Sequence, residues 1–122
     1  MGLTKQEIWD RLKYEQKWIK TTNTDIFGSN VPESKIRYIV KIILTGDQNT
    51  TRIAEISKKL ETGSYDTFIP NINVVASQYR EIPEGSYDIE NPILTLEGGT
   101  NLAGKVSGNS ISMTVIYWDN DI

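Results

Sequence analysis

Few residues of this chain could do chemistry, because the sequence contains neither histidine nor cysteine. These two residue types supply the commonest general base, the commonest transition-metal ligand and the best thiol nucleophile. An enzyme built from this chain would have to work with carboxylates, lysine, tyrosine or serine alone. We therefore predict a protein that is not an enzyme, with no catalytic residue, no cofactor and no bound metal.

The tetrapeptide Gly-Ser-Tyr-Asp occurs twice, at residues 63–66 and 85–88. A tyrosine ring can stack on a sugar, and an aspartate can accept hydrogen bonds from sugar hydroxyls. Tyr65 and Tyr87 are therefore candidates for a carbohydrate-binding site, to which Tyr79 and Trp118, expected to be exposed, could add aromatic contacts. The structural alternative is that each motif is a turn that leads into a strand. The sequence leaves both interpretations open.

The acidic tail is a second place where ligand chemistry is conceivable. Asp119, Asn120 and Asp121 offer oxygen ligands for calcium, but the glycine and the distant glutamate of a calcium loop are missing at the required spacing. We predict a solvated acidic end instead.

Length and charge narrow the class of protein further. A chain of 122 residues forms one domain with one core. Residues 81–122 contain one basic and seven acidic residues, which argues against a nucleic-acid partner, since such binding needs a basic face. The apolar runs are too short for a membrane span, and the start of the chain lacks a signal-peptide pattern. We expect a protein that has no membrane partner and is made in a cytoplasm without export.

Among the elements that position these residues, the first is a predicted amphipathic helix. Thr4 and Glu7 fit a capping box, and Ile8, Leu12 and Ile19 recur at helical spacing over about four turns. We predict a helix from residue 5 to about residue 20, and then a polar loop over residues 21–35 into which Ile26 and Phe27 dip toward the core. In this interpretation residues 1–35 are a unit apart from residues 36–122. Deleting residues 1–20 would then leave the sheet folded.

Aromatic residues provide the candidate contacts with a partner. Tyr14 and Trp18 are four residues apart and lie opposite the apolar stripe of the predicted helix, and tryptophan and tyrosine are favoured interface anchors. The alternative is that they lie along the sheet or the following loop. At the other end of the chain, Ile116 and Trp118 make one end of a strand face apolar, and either another segment or another molecule covers it. The predicted partner-binding residues are Trp9, Tyr14, Trp18, Ile116 and Trp118.

The rest of the chain is typical of β-structure. Residues 36–44 predict a central strand, with 36, 38, 40, 42 and 44 on one face. Residues 51–60 show helical spacing, but their β-branched neighbours favour a strand, which we adopt. Residues 68–82 predict a strand that is broken near Pro70.

Residues 82–118 have the pattern of a β-meander. Turns are expected at Gly85, residues 91–92, residues 98–99 and residues 108–109, with four strands in succession between and after them. In the last strand, residues 111, 113, 115 and 117 form the core face. The predicted fold is mainly β: an antiparallel β-sandwich of about seven or eight strands, jelly-roll or immunoglobulin-like, preceded by one amphipathic helix.

This order of strands and turns resembles the small β-sandwich structural proteins of tailed bacteriophage and archaeal virus particles. The matching segments are residues 82–85 (IPEG), 91–96 (NPILTL), 97–102 (EGGTNL) and 110–117, and the resemblance covers about residues 36–118. It implies a virion structural protein, either a capsid decoration or a head-tail accessory subunit. Such a protein forms homo-oligomers and binds a major capsid or tail protein without catalysis.

Overall fold

The computed structural model describes residues 3–122, which form one short helix and nine strands. The elements are α1 (Lys5–Arg11), β1 (Lys13–Ile19), β2 (Thr24–Asp25), β3 (Lys35–Thr45), β4 (Arg52–Lys59), β5 (Tyr65–Val74), β6 (Tyr79–Ile82), β7 (Leu94–Leu96), β8 (Asn101–Val106) and β9 (Ile111–Asp121).

The strands form two antiparallel sheets. The five-stranded sheet has the order β1-β9-β3-β6, with β7 also paired to β3, and the four-stranded sheet has the order β2-β8-β4-β5. This confirms the predicted antiparallel sandwich. The predicted seven or eight strands lie between residues 36 and 118, where the structure has seven, β3 to β9. The strands β1 and β2 precede them and bring the count among the described residues to nine. The short strands β6 and β7 pair with successive parts of β3.

The strand order is that of a jelly roll. If β6 and β7 are counted as one interrupted strand, each sheet has four strands, and the chain crosses repeatedly from one sheet to the other. Two packed sheets wound in this way are the jelly-roll arrangement. The structure therefore selects the first of the two predicted topologies.

The main core lies between the two sheets. On β9 the inner face is the predicted one, since Ile111, Met113, Val115 and Tyr117 are all buried there. Fully buried side chains from both sheets, such as Leu44 and Leu102, complete this core. Burial of apolar area on this scale is the main stabilising term of such a fold.

The predicted helix begins where expected but ends early. Thr4 and Glu7 form the capping box, whereas Leu12 has an extended backbone and closes the helix after Arg11. Residues 13–19 form β1, which pairs with β9 along its whole length. Lysine, glutamate and glutamine favour helix locally, but pairing with β9 and the complete burial of Ile19 outweigh this preference. The prediction of a helix to residue 20 is wrong.

Residues 21–35 are bound to the sandwich over much of their length. Ile26 and Phe27 are buried, as predicted, and the Val31 N–H donates to the Thr100 carbonyl at 2.9 Å. The sandwich thus takes strands and core residues from upstream of residue 36. A deletion of residues 1–20 would remove β1 and the buried Ile19, so the structure gives no support to the expectation that the sheet survives it.

The central strand β3 carries a bulge that the alternating pattern did not predict. Ile39 pairs with Tyr117 and Lys41 with Ile116, so Val40 is the extra residue. A bulge moves the following side chains to the opposite face. The prediction that residues 36, 38, 40, 42 and 44 share one face is therefore wrong: Tyr38 and Val40 pack on the outer face, whereas Ile42 and Leu44 lie in the main core.

Two other segments differ from the predictions, while residues 52–59 form the predicted strand. The strand β5 continues through Pro70, which is tolerated because β5 is an edge strand, and the chain breaks at residues 75–78 instead. Residues 86–90, where the β-meander predicts a strand, form a loop that ends in a turn. There the Asp88 carboxylate accepts from the Glu90 N–H at 2.9 Å and from the Asn91 side chain at 2.7 Å.

Candidate partner-binding surface

The outer face of the five-stranded sheet, on the side away from the main core, is covered at one end by the chain itself. The helix α1 and residues 83–93 pack there over a second apolar cluster of Ile8, Val40, Ile89 and Trp118. The Trp118 Nε1–H donates to the Ile89 carbonyl at 3.3 Å. Trp118 is buried, so another segment of this chain, and not another molecule, covers this predicted partner-binding residue.

A buried lysine holds residues 83–93 against this face. Lys41 Nζ lies 3.2 Å from Glu81 Oε1, donates to the Gly85 carbonyl and lies over the Tyr87 ring at 5.8 Å from its centroid. The Gly85 N–H and then Lys41 hydrogen-bond to the Glu81 carboxylate, and both lower its pKa. The covered end is therefore held by charged groups as well as by apolar contacts.

The other end of the same face exposes large aromatic side chains. On β1 the side chains of Tyr14, Gln16 and Trp18 alternate outward, and Tyr14 pairs with Ile116 of β9. Tyr14 is 75% exposed and Trp18 is 59% exposed. The Gln16 Nε2–H donates to Ser112 Oγ at 2.6 Å, which fixes the middle of this row. The structure therefore supports the alternative that Tyr14 and Trp18 lie along the sheet.

A further exposed tyrosine lies at the far edge of this face. The strand registers place Trp18 opposite Ser112, Ser112 opposite Thr45, and Thr45 opposite Tyr79, which is 74% exposed. Three strand spacings separate the two aromatic residues by about 14 Å. We call Tyr14, Trp18, Ile43, Tyr79 and Ile116 the outer-face patch.

Trp9 lies close to this patch. It is 53% exposed, and its ring lies 6.4 Å from that of Tyr87. Tyr87 in turn lines a groove of about 210 Å³ with Leu12, Lys13, Tyr14 and Ile116. Four of the five predicted residues, Trp9, Tyr14, Trp18 and Ile116, are thus brought to one face, and that they bind a partner stays a prediction.

Sequence reasoning did not include Ile43 and Tyr79 in this surface. They reach it through the pairing of β3 with β9 and β6, which joins residues far apart in the chain. The outward position of Ile43 among charged neighbours was visible as strand alternation. No local pattern indicated that Tyr79 lies in the same row as Trp18.

The other candidate ligand sites do not assemble. Tyr65 donates to Asp25 Oδ1 at 3.0 Å beside the four-stranded sheet, whereas Tyr87 lies on the outer face of the five-stranded sheet. The two repeated motifs therefore lie on separate surfaces. Asp119 is not solvated as predicted, because Arg37 holds both of its carboxylate oxygens. Within residues 3–122 no group of three or more acidic side chains could hold a metal ion.

Comparisons with known proteins give structural similarities only. No family model matches the chain, and no curated protein matches it. One similar structure is the capsid of Helicobacter pylori bacteriophage KHP30, with 12% identity, a TM-score of 0.46, and coverage of 91% of this chain and 92% of that one. A second is a Bacillus endospore appendage, a disulfide-linked pilus, with 13% identity, a TM-score of 0.41, and coverage of 88% and 84%.

A third similar structure is that of infectious bursal disease virus, with 10% identity, a TM-score of 0.43 and coverage of 91% of this chain. This chain covers only 33% of the length of that viral protein. Similarities at these identities and scores do not assign the chain to a family. Among residues 3–122, no helix has the length and apolar character needed to cross a membrane.

Proposed function

We propose that the chain is a virion structural protein, a capsid decoration or head-tail accessory subunit that assembles with copies of itself and binds a major capsid or tail protein. The observation that carries this proposal is the outer-face patch, with Tyr14, Trp18 and Tyr79 exposed on rigid strands. Large aromatic residues held in this way are typical anchors of protein interfaces. The proposed location is the virion.

The fold supports this class without defining it. Jelly rolls occur in viral capsid, lectin and cupin domains, so topology leaves several functions open. The outer-face patch favours contact with a protein, because its aromatic rings are spread across about 14 Å of sheet. The small side chains of Ser112 and Thr45 lie between Trp18 and Tyr79 in this row. A surface of this width suits a protein partner better than a single sugar ring.

The carbohydrate-binding alternative loses its main support in the structure. It was motivated by the two repeated motifs and by the aromatic residues Tyr79 and Trp118. Tyr65 and Tyr87 lie on separate surfaces, and Trp118 is buried, so of the latter two residues only Tyr79 is exposed as expected. A glycan array tests what remains of this alternative. We expect no binding to any glycan, whereas binding that disappears after Tyr65→Ala or Tyr87→Ala would revive it.

The proposed function is tested by removing the aromatic anchors together. We expect Tyr14→Ala with Trp18→Ala to weaken self-association or binding to particles that lack this protein by at least about tenfold, or about 1.4 kcal/mol. The melting temperature should change by only a few degrees, because both side chains are largely exposed. Co-sedimentation with particles and sedimentation velocity of the free protein measure the two effects.

The matched control is Phe68→Ala, which truncates an exposed aromatic residue on β5, at the edge of the other sheet. This variant should bind particles and self-associate like the unchanged protein. The proposal would be overturned by a protein that stays monomeric at high concentration and ignores particles. Equal losses in Phe68→Ala and in the double variant would also contradict it.

A further inference from the structure

The strand β1 is an edge of the five-stranded sheet that can accept another strand. Within residues 3–122 it pairs with β9 alone, so its other side presents backbone N–H and C=O groups to solvent. Lys13, Tyr14, Gln16 and Trp18 are exposed, and only Ile19 is buried. We propose that β1 of a second copy of this chain pairs with this edge, antiparallel and about a two-fold axis at Gln16.

The sequence of β1 is complementary to itself in that register. With Gln16 opposite Gln16 of the second copy, Glu15 faces Lys17 of the second copy, and Tyr14 faces Trp18 of the second copy. Symmetry repeats each pair, which gives two opposite-charge pairs on the inner face and two aromatic pairs on the outer face. Cross-strand pairs of both kinds stabilise antiparallel strands. An interface of this kind is isologous and closes as a dimer.

Neighbouring registers are disfavoured by the same residues. An axis at Glu15 places Lys13 opposite Lys17 of the second copy, and an axis at Lys17 places two copies of Lys17 opposite each other. A slip by one residue would place outer-face side chains opposite inner-face ones, which the pleat of a continuous sheet does not allow. An axis at Tyr14 also pairs Lys13 with Glu15, but it overlaps only residues 13–15 of β1. The charges and the length of β1 together favour the axis at Gln16.

The other edges are less suited to strand addition. The strands β2, β6 and β7 have two, four and three residues. The longer edge strand β5 contains Pro70, a left-handed Asn71 and irregular pairing with β4. Proline and bulges are the usual devices that block an edge. Among the edges that the structure describes, β1 combines length with regular pairing.

This inference rests on the self-association in the proposed function and names the segment that mediates it. Pairing of the two β1 strands would make one sheet from two and place both outer faces on the same side. The outer-face patches of the two copies would then be continuous across the axis. The dimer would present a doubled aromatic surface to a larger particle.

Charge exchange tests the register. Glu15→Lys places lysine opposite Lys17 of the second copy twice, and Lys17→Glu places glutamate opposite Glu15 twice. We expect each single variant to dimerise at least about tenfold more weakly in sedimentation velocity. The double variant, and an equimolar mixture of the two single variants, should recover dimerisation to within about threefold, because both restore opposite charges at each pair.

The matched control is Lys13→Glu, which changes the net charge as Lys17→Glu does but faces Ile19 of the second copy. It should dimerise like the unchanged protein. Circular dichroism establishes that each variant is folded, and the recovery in the mixture excludes misfolding as the cause of the loss. The proposed register would be overturned if the single variants dimerise more weakly and their mixture does not recover dimerisation. It would also be overturned if Lys13→Glu weakens dimerisation as much as Lys17→Glu does.

A cross-link provides a second measurement, since the chain has no cysteine of its own. In the full chain, Gln16→Cys places two thiols next to each other across the axis, and oxidation should give a covalent dimer. Lys13→Cys places the two thiols about 20 Å apart along the strands and should remain monomeric under the same oxidation. Absence of the cross-link in a Gln16→Cys variant that still dimerises would overturn the inference.

Failure of this inference can be told from failure of the proposed function. A dimer with the expected cross-link that ignores particles would contradict the virion role and leave the strand pairing intact. Particle binding by a protein that is indifferent to charge exchange and gives no cross-link would contradict the pairing alone.

Discussion

At the scale of single residues, the pair Arg37 and Asp119 connects the ends of β3 and β9. The Arg37 guanidinium donates to both carboxylate oxygens, at 2.7 and 2.8 Å, and lies 4.3 Å from the Phe27 ring centroid and 4.6 Å from that of Tyr117. Both side chains are more than four-fifths buried. The stability of a buried charge depends on its counter-charge, because solvent cannot reach the site to replace that counter-charge.

We therefore expect Asp119→Asn to lower the free energy of unfolding by about 2 kcal/mol, since Arg37 loses its counter-charge. Adding Arg37→Met should recover part of that loss. The exposed pair of Lys35 and Asp121, 2.7 Å apart, provides the control, and Asp121→Asn should leave the midpoint of urea unfolding almost unchanged. Urea unfolding measures all three variants, and equal losses in Asp119→Asn and Asp121→Asn would contradict this account.

At the scale of elements, the first 20 residues show what the sequence predicts and what it does not. The start of α1 was predictable because the capping box of Thr4 and Glu7 is local. The change to β1 at Leu12 was not, because β1 is stabilised by β9, a strand about 100 residues away in sequence. One signal was present: Tyr14, Gln16 and Trp18 alternate with Lys13, Glu15 and Lys17, which is the period of a strand.

The same distinction applies to the candidate surface. Tyr14 and Trp18 were identified by residue type alone, since exposed aromatic residues suit interfaces. Their position beside Ile116 and in one row with Tyr79 depends on pairing between β1, β9, β3 and β6. The burial of Trp118 depends on the packing of α1 and residues 83–93 over the sheet. Such arrangements follow from tertiary contacts and leave no local pattern.

Two deletions separate the roles of α1 and β1. Removing residues 1–11 takes Ile8 from the second apolar cluster but leaves both sheets, so we expect a folded protein with a melting temperature about 10 °C lower. Removing residues 1–20 also takes β1 and the fully buried Ile19, and we expect no cooperative unfolding transition. Thermal melts followed by circular dichroism compare them, and a cooperative transition for the longer deletion would show that β1 is dispensable.

At the scale of the whole molecule, the two ends of the outer face of the five-stranded sheet have different roles. One end of the five-stranded sheet is covered by α1 and residues 83–93, and this cover stabilises the monomer. The other end and the β1 edge stay open and carry exposed aromatic side chains. The strand β1 belongs to the sheet, but the side chains proposed for assembly, such as Tyr14, Trp18 and Tyr79, are largely exposed. Substituting these side chains should therefore change binding without unfolding the monomer.

The pH dependence of stability is also a property of the whole chain, because the carboxylates that carry it are spread over α1, the five-stranded sheet and the loops. Six carboxyl groups have a lowered pKa because backbone N–H groups, side-chain amides or lysines hydrogen-bond to the ionised form: Glu7, Asp47, Glu81, Asp88, Glu97 and Asp121. In the unfolded chain these groups titrate near their ordinary values of about 4. The unfolded chain therefore binds more protons as pH falls through that range, and the folded state loses stability there.

We expect the melting temperature to be constant within about 2 °C from pH 6 to pH 8, because no histidine or cysteine is present to titrate, and to fall steadily below about pH 4.5. Glu97→Gln, which removes the carboxylate that Lys58 contacts, should flatten the fall on the acid side and leave the plateau flat. Differential scanning calorimetry from about pH 3 to pH 8 measures both. A melting temperature that drops between pH 8 and pH 6 would show that stability depends on groups other than these carboxylates.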